Sequence, residues 1–99
     1  MVNKFHISLE VQDIAKSAEE YSKRLACKPE IIIENEYALW RTDTLNFSIR
    51  KGKLQGKLRH LGFEDASTTN FYEEKDINGI TWERFSAEQQ RDEIKNLWK

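Results

Sequence analysis

Polar and apolar residues alternate from residue 5 to residue 11, with Phe5, Ile7, Leu9 and Val11 on one face and His6, Ser8 and Glu10 on the other. That period of two predicts a strand lying between a core and an open surface. Behind Asp13, a residue able to cap, Ile14, Ala18, Tyr21 and Leu25 recur at spacings of three and four. The pattern predicts an amphipathic helix from 13 to about 26 that ends before Pro29 and covers the apolar face of the first strand. Three β-branched or aromatic runs follow at 30–35, 37–42 and 45–50, with breaks at Glu36 and Asp43-Thr44 short enough for hairpins. Residues 1–50 therefore read β-α-β-β-β.

The basic, glycine-punctuated stretch 51–57 predicts a solvated loop between two halves. Residues 58–64 read as another short strand, with His60, Gly62 and Glu64 on one face and Leu61 and Phe63 on the other. After a turn at 65–70, the runs 71–75 and 80–85 predict a hairpin around Asp76-Ile77-Asn78-Gly79, with Gly79 at a positive-φ position. Glu83 shares a face with Thr81 and Phe85, while Trp82 points the other way and is expected in the core. Ser86 followed by Gln89 is a capping-box pattern, and Ile94, Leu97 and Trp98 give a narrow apolar stripe. A helix over 86–99 that docks on a neighbour is expected to close the chain.

Ninety-nine residues bound the answer to one small domain, 1–99, and 38% apolar against 33% charged residues predict a thin core. The net charge of -1 supplies no overall field for a nucleic-acid backbone or an anionic membrane, so neither partner is expected. The longest uninterrupted apolar run is Tyr37-Ala38-Leu39-Trp40, and no charged-then-apolar leader opens the chain, which argues for a cytoplasmic protein. A single cysteine, Cys27, excludes an internal disulfide and a thiolate metal cluster. Nothing resembles a Ser-His-Asp triad, a phosphate-binding glycine-rich loop or a Cys-x-x-Cys pair.

Any metal must then use His, Asp or Glu. His6 and His60 each stand on the polar face of a strand, and Glu83 stands on a third. Two neutral imidazoles and one carboxylate give a three-ligand face that leaves positions open on a divalent ion, Fe(II) first, with Mn(II), Ni(II), Co(II) or Zn(II) also suited. Glu10 and Glu64 share faces with the two histidines; either is able to orient an imidazole as an acceptor, and both read more readily as solvated strand residues.

At these same residues the chain resembles a known superfamily. The opening Phe5-His6-Ile7-Ser8-Leu9-Glu10-Val11, with Ser17 and Tyr21 behind it, is similar to the first strand and helix of the vicinal oxygen chelate superfamily of glyoxalases, bleomycin- and fosfomycin-resistance proteins and extradiol dioxygenases. Tyr37-Ala38-Leu39-Trp40, Leu45-Asn46-Phe47-Ser48-Ile49, His60-Leu61-Gly62-Phe63 and Asp76-Ile77-Asn78-Gly79-Ile80-Thr81-Trp82-Glu83 resemble most the branch with carbon-arsenic lyases and cadmium-induced proteins. The resemblance implies an α+β fold of paired β-α-β-β-β-type modules forming a curved open sheet: module one over 1–50, a linker at 51–57, and a module two over 58–85. Module two is truncated, because only about seven residues separate Phe63 from Phe71, too few for the second helix and a further strand.

The resemblance implies His6, His60 and Glu83 as metal ligands, and Ser48 at a position where glyoxalase-type members carry a further carboxylate. Ser48, Tyr37 and Phe47 are expected to line the substrate pocket. The arsenic-binding cysteine pair of the lyases is missing, so carbon–arsenic cleavage is not expected, and Cys27 reads as a small packing residue. The implied function is a divalent-metal-dependent small-molecule enzyme (a dioxygenase, lyase or isomerase) or a detoxification protein; the alternative is a metal-free binding or resistance protein of the same fold. A homodimer is expected to cover what the shortened module leaves bare.

Overall fold

The computed structural model describes residues 3–98. In chain order the elements are β1 (Lys4–Val11), α1 (Ile14–Leu25), β2 (Ile31–Ile33), β3 (Tyr37–Arg41), β4 (Leu45–Lys51), β5 (Lys57–Glu64), β6 (Tyr72–Lys75), β7 (Thr81–Phe85) and α2 (Ala87–Leu97). The fold is α+β, with one open seven-stranded sheet in the order β2-β3-β4-β1-β5-β7-β6. Its centre is mixed: β1 runs parallel to β4 and antiparallel to β5, and β5 runs parallel to β7. The outer pairs β2–β3, β3–β4 and β6–β7 are antiparallel hairpins. Among the described residues, no helix is long and apolar enough to cross a membrane.

The first helix forms where its periodicity places it. Asp13 accepts a hydrogen bond from the Lys16 amide at 2.9 Å, and Ala26 turns left-handed, with φ 57°, to end it. Ile14 and Ala18 then pack with Val11, Ala38, Trp40 and Ile49 into the main core, and Tyr21 meets Phe47 and Trp40 edge-on. The helix covers Leu9 and Val11 but not the whole apolar face of β1, because it lies over β3 and β4. Phe5, at the other end, packs on Phe63 and Trp82 of the neighbouring strands instead. Trp82 is consequently half-buried rather than a core residue, and its indole N–H donates to the Asp76 carboxylate at 2.8 Å.

The unbroken run Tyr37-Ala38-Leu39-Trp40 is explained by a strand covered on both sides. Ala38 and Trp40 face α1, whereas Tyr37 and Leu39 face α2, where they meet Ile94 and Trp98. Ser86 and Gln89 complete the capping box, so α2 starts where the sequence marks it. Its docking surface is this same sheet. The second strand is shorter than the 30–35 run, because residues 34–36 turn with Asn35 at φ 65°.

Two features of the sheet set up the site. The polar face of β1, expected to be open, is the most buried part of that strand, with His6 at 2% and Ser8 at 0% exposure. Pairing between β1 and β5 also slips by one residue: Ser8 opposes His60 and Leu9 opposes Leu58, leaving Arg59 as the extra residue of a β-bulge.

Candidate metal centre

His6 on β1, His60 on β5 and Glu83 on β7 come from three adjacent strands whose registers align them. His6 opposes Gly62, and Gly62 opposes Glu83. Gly62 has no side chain to hold the strands apart, so β7 approaches closely enough for Glu83 Oε1 to stand 3.2 Å from His60 Nε2. His60 Nε2 is in turn 2.9 Å from His6 Nε2, and one donor atom from each of the three residues lies within 4.8 Å of the others. Two ligands on adjacent corners of an octahedron with bonds of about 2.1 Å are about 3.0 Å apart, so the spacing fits a first-row divalent ion.

The tautomer of His6 fits as well. Its Nδ1 lies 2.8 Å from Asn46 Oδ1 and 3.1 Å from the Asn46 carbonyl oxygen, both acceptors, so Nδ1 carries the proton and Nε2 presents a lone pair. Asn46 is itself held in that orientation, because its amide nitrogen donates to Glu64 Oε1 and to Gln90 Oε1, each at 2.8 Å. Glu64 is clamped by Arg41 through Nε at 2.8 Å and Nη2 at 2.7 Å. A chain of Arg41, Glu64, Asn46 and His6 therefore runs from a half-buried guanidinium to the imidazole of His6. This corrects the reading of Glu64 as a solvated strand residue: it is 9% exposed and acts on His6 at one remove. Glu10 instead accepts from the Leu54 amide and ties down the 51–57 loop.

Burial disfavours charge on all three groups. Burial pulls His6 below its ordinary value, and burial together with the His6 and Arg59 charges takes His60 down to about 3. Burial, then the Glu93 and Glu73 carboxylates, pushes Glu83 up to about 7. Each group is held toward its neutral form where it stands.

The triad opens into a cavity of about 140 Å³ between the sheet and α2. Tyr37 and Ser48 line it, and burial pushes the Tyr37 hydroxyl up to about 12, so it stays protonated. Phe47 does not. Strand alternation turns it to the opposite face of β4, where it packs with Tyr21 and Trp40. Asn46, Arg59 and Gln90 were not foreseen as site residues. The alternation in 45–50 puts Asn46 on the Ser48 face and was the available signal for it. Arg59 reaches the cavity only through the bulge, and Gln90 only through the docking of α2.

No protein-family model matches the chain, and no curated protein matches it.

Proposed function

We propose that the chain is a divalent-metal protein of the vicinal-oxygen-chelate type, using His6, His60 and Glu83 to hold Fe(II) first, or Mn(II), Ni(II), Co(II) or Zn(II). It would act on a small molecule as an enzyme or a detoxification protein. The observation that carries this reading is the convergence of three donor atoms within 4.8 Å of one another, with His6 Nε2 fixed as a lone pair by Asn46. The strand pairing supports the modular part of the reading: β4 returns parallel to β1, and β7 returns parallel to β5 after a hairpin, as in a second module lacking a helix and a strand. Bound there, the ion supplies a Lewis acid with open positions for oxygen donors. The protein's own part is to orient the ligands through Asn46 and Glu64, to screen the site with α2, and to keep the Tyr37 hydroxyl protonated as a donor beside it.

The alternative is a metal-free binding protein, and one observation favours it: the triad also closes on itself through the His6–His60 and His60–Glu83 contacts. A homodimer is consistent with the wholly exposed edge strand β6 and with the half-buried Phe5, Phe63 and Trp82 face, which no helix covers among the described residues.

Anaerobic metal titration with elemental analysis separates the two readings. Near one ion per chain, lost in both Glu83→Ala and His60→Ala, is expected. No binding by the unaltered protein sinks the metal reading and leaves the metal-free binder.

A further inference from the structure

Arg59 is built into the cavity in a way that its place in the sequence does not suggest. In a regular strand, neighbours point to opposite faces, so Arg59 and His60 would be separated by the sheet. The bulge between Ser8/His60 and Leu9/Leu58 removes that alternation, and both side chains line the same cavity. The guanidinium is half-buried there. It donates to Ser8 Oγ at 3.1 Å, and Ser8 is fixed from behind by Ser48 at the same distance. Among the described residues, Arg59 has no other hydrogen-bond partner and no ion pair, although a guanidinium carries five N–H donors. A second guanidinium, that of Arg50, lines the same cavity and lies over the Trp98 ring, 5.3 Å from its centroid, likewise without an ion pair among the described residues.

Two carboxylates face these cations: Glu83, which belongs to the triad, and Glu93 on α2, which is exposed. With Glu83 engaged by a divalent ion, the cavity is left with more positive than negative charge. It is also small, about 140 Å³ against the several hundred of a drug-sized site, and Phe71, Phe85 and Ile94 give it an apolar wall.

We infer that the cavity takes a compact oxyanion, a carboxylate, phosphate or phosphonate on a small apolar body, with the anionic group paired to Arg59 and the remaining oxygens directed at the triad. This names a ligand class for the site proposed above, and its second half rests on that reading; the pairing with Arg59 does not. A planar guanidinium with free donors matches an oxyanion in two parallel hydrogen bonds, which an ammonium at the same place does not.

The test is an NMR titration of the full chain with methylphosphonate, with and without one equivalent of Zn(II), set against the neutral dimethyl methylphosphonate. Saturable binding is expected in both forms, tighter with zinc, with shifts at the Arg59 Nε–H and at the amides of residues 6–8 and 58–60, and none with the ester. Arg59→Gln, which keeps a donor for Ser8, should weaken methylphosphonate binding about tenfold or more while leaving zinc stoichiometry unchanged. Arg59→Lys should retain part of it. Unaltered affinity in Arg59→Gln, or equal binding of the ester, overturns the inference. If the protein takes up no zinc, the metal reading fails separately, and the metal-free titration still decides: Arg59-dependent binding upholds the oxyanion site, and its absence removes it. If Arg59→Gln does not fold, unchanged binding at raised ionic strength and no shift at the Arg59 Nε–H in the unaltered protein serve as the refuting result.

Discussion

Replacing Gly62 by alanine adds one carbon at the point where β5 meets β7. A Cβ there falls 2.8 Å from the Glu83 carbonyl carbon and 2.9 Å from its amide nitrogen, and closer still to its carbonyl oxygen. Ordinary contacts begin near 3.4 Å, so clearing the carbonyl oxygen requires the strands to part by roughly an ångström or more, and the obstacle is backbone that cannot rotate away. Overpacking of this kind costs about 1–3 kcal/mol, and each ladder hydrogen bond loosened between β5 and β7 adds about 1 kcal/mol, so a loss of about 2–4 kcal/mol is expected. The same displacement carries Glu83 away from His60, across a gap that is now 3.2 Å. Urea unfolding followed by circular dichroism measures the first effect, and Co(II) titration followed by its visible absorption measures the second. Gly62→Ala should lower both stability and Co(II) affinity, whereas Gly56→Ala, in open space on the loop, should leave Co(II) affinity unchanged. A Gly62→Ala protein with unaltered unfolding midpoint and unaltered Co(II) affinity would refute the claim that close strand approach assembles the triad.

Asn46→Leu removes the side-chain acceptor for His6 Nδ1 and the donor to Glu64, both buried, and leaves only the residue's backbone carbonyl at 3.1 Å as acceptor, so it should weaken metal binding about tenfold at a stability cost of about 1–3 kcal/mol; equal affinity by the same titration would show that the Asn46 side chain does not orient His6. In the metal-free protein, His6 and His60 stay neutral in the fold below the ordinary histidine value of 6.5, while the unfolded chain takes up protons, so their contribution falls as pH falls from 6.5, to about 3 for His60. Glu83, raised to about 7, has the opposite sign: between its ordinary 4.5 and 7 the fold holds a proton that the unfolded chain has released, so stability from this group falls as pH rises through that window. From 6.5 down to 4.5 the two histidines outweigh the one carboxylate, so stability falls with falling pH, and the loss steepens below 4.5 where Glu83 no longer offsets it; urea midpoints of EDTA-treated protein check this, and His60→Leu should flatten the acid limb, an unchanged limb counting against the assignment. Ser86→Ala breaks the capping box that starts α2 and should cost about 1 kcal/mol, with amide exchange speeding up along 87–90; protection equal to that of the unaltered protein would show that packing of Ile94 alone holds the helix.

Local pattern carried most of the elements, because hydrophobic period, caps and turn residues act over a few positions. Asp13, Asn35 and Gly79 bend or start the chain by their own chemistry, and the capping box at Ser86 and Gln89 needs nothing from elsewhere. His6, His60 and Glu83 were legible for the same reason, as polar residues standing mid-strand, and resemblance joined them into one set. Phe47 was misplaced although alternation already put it opposite Ser48, since its aromatic character alone does not say which face holds the cavity. Glu64 looked solvated because its partners Arg41 and Asn46 are far along the chain.

What the sequence determined by itself, then, was the kind of each element and the residue types able to hold a metal, since both follow from side-chain chemistry within one or two turns or strand repeats. Long-range packing alone settled which face of the sheet became the inside of the site. That choice depends on α2 docking across β3, on β7 closing against Gly62, and on a one-residue slip beside β1 that turned Arg59 inward. Each is a contact between residues tens of positions apart, fixed by packing and register rather than by any local preference.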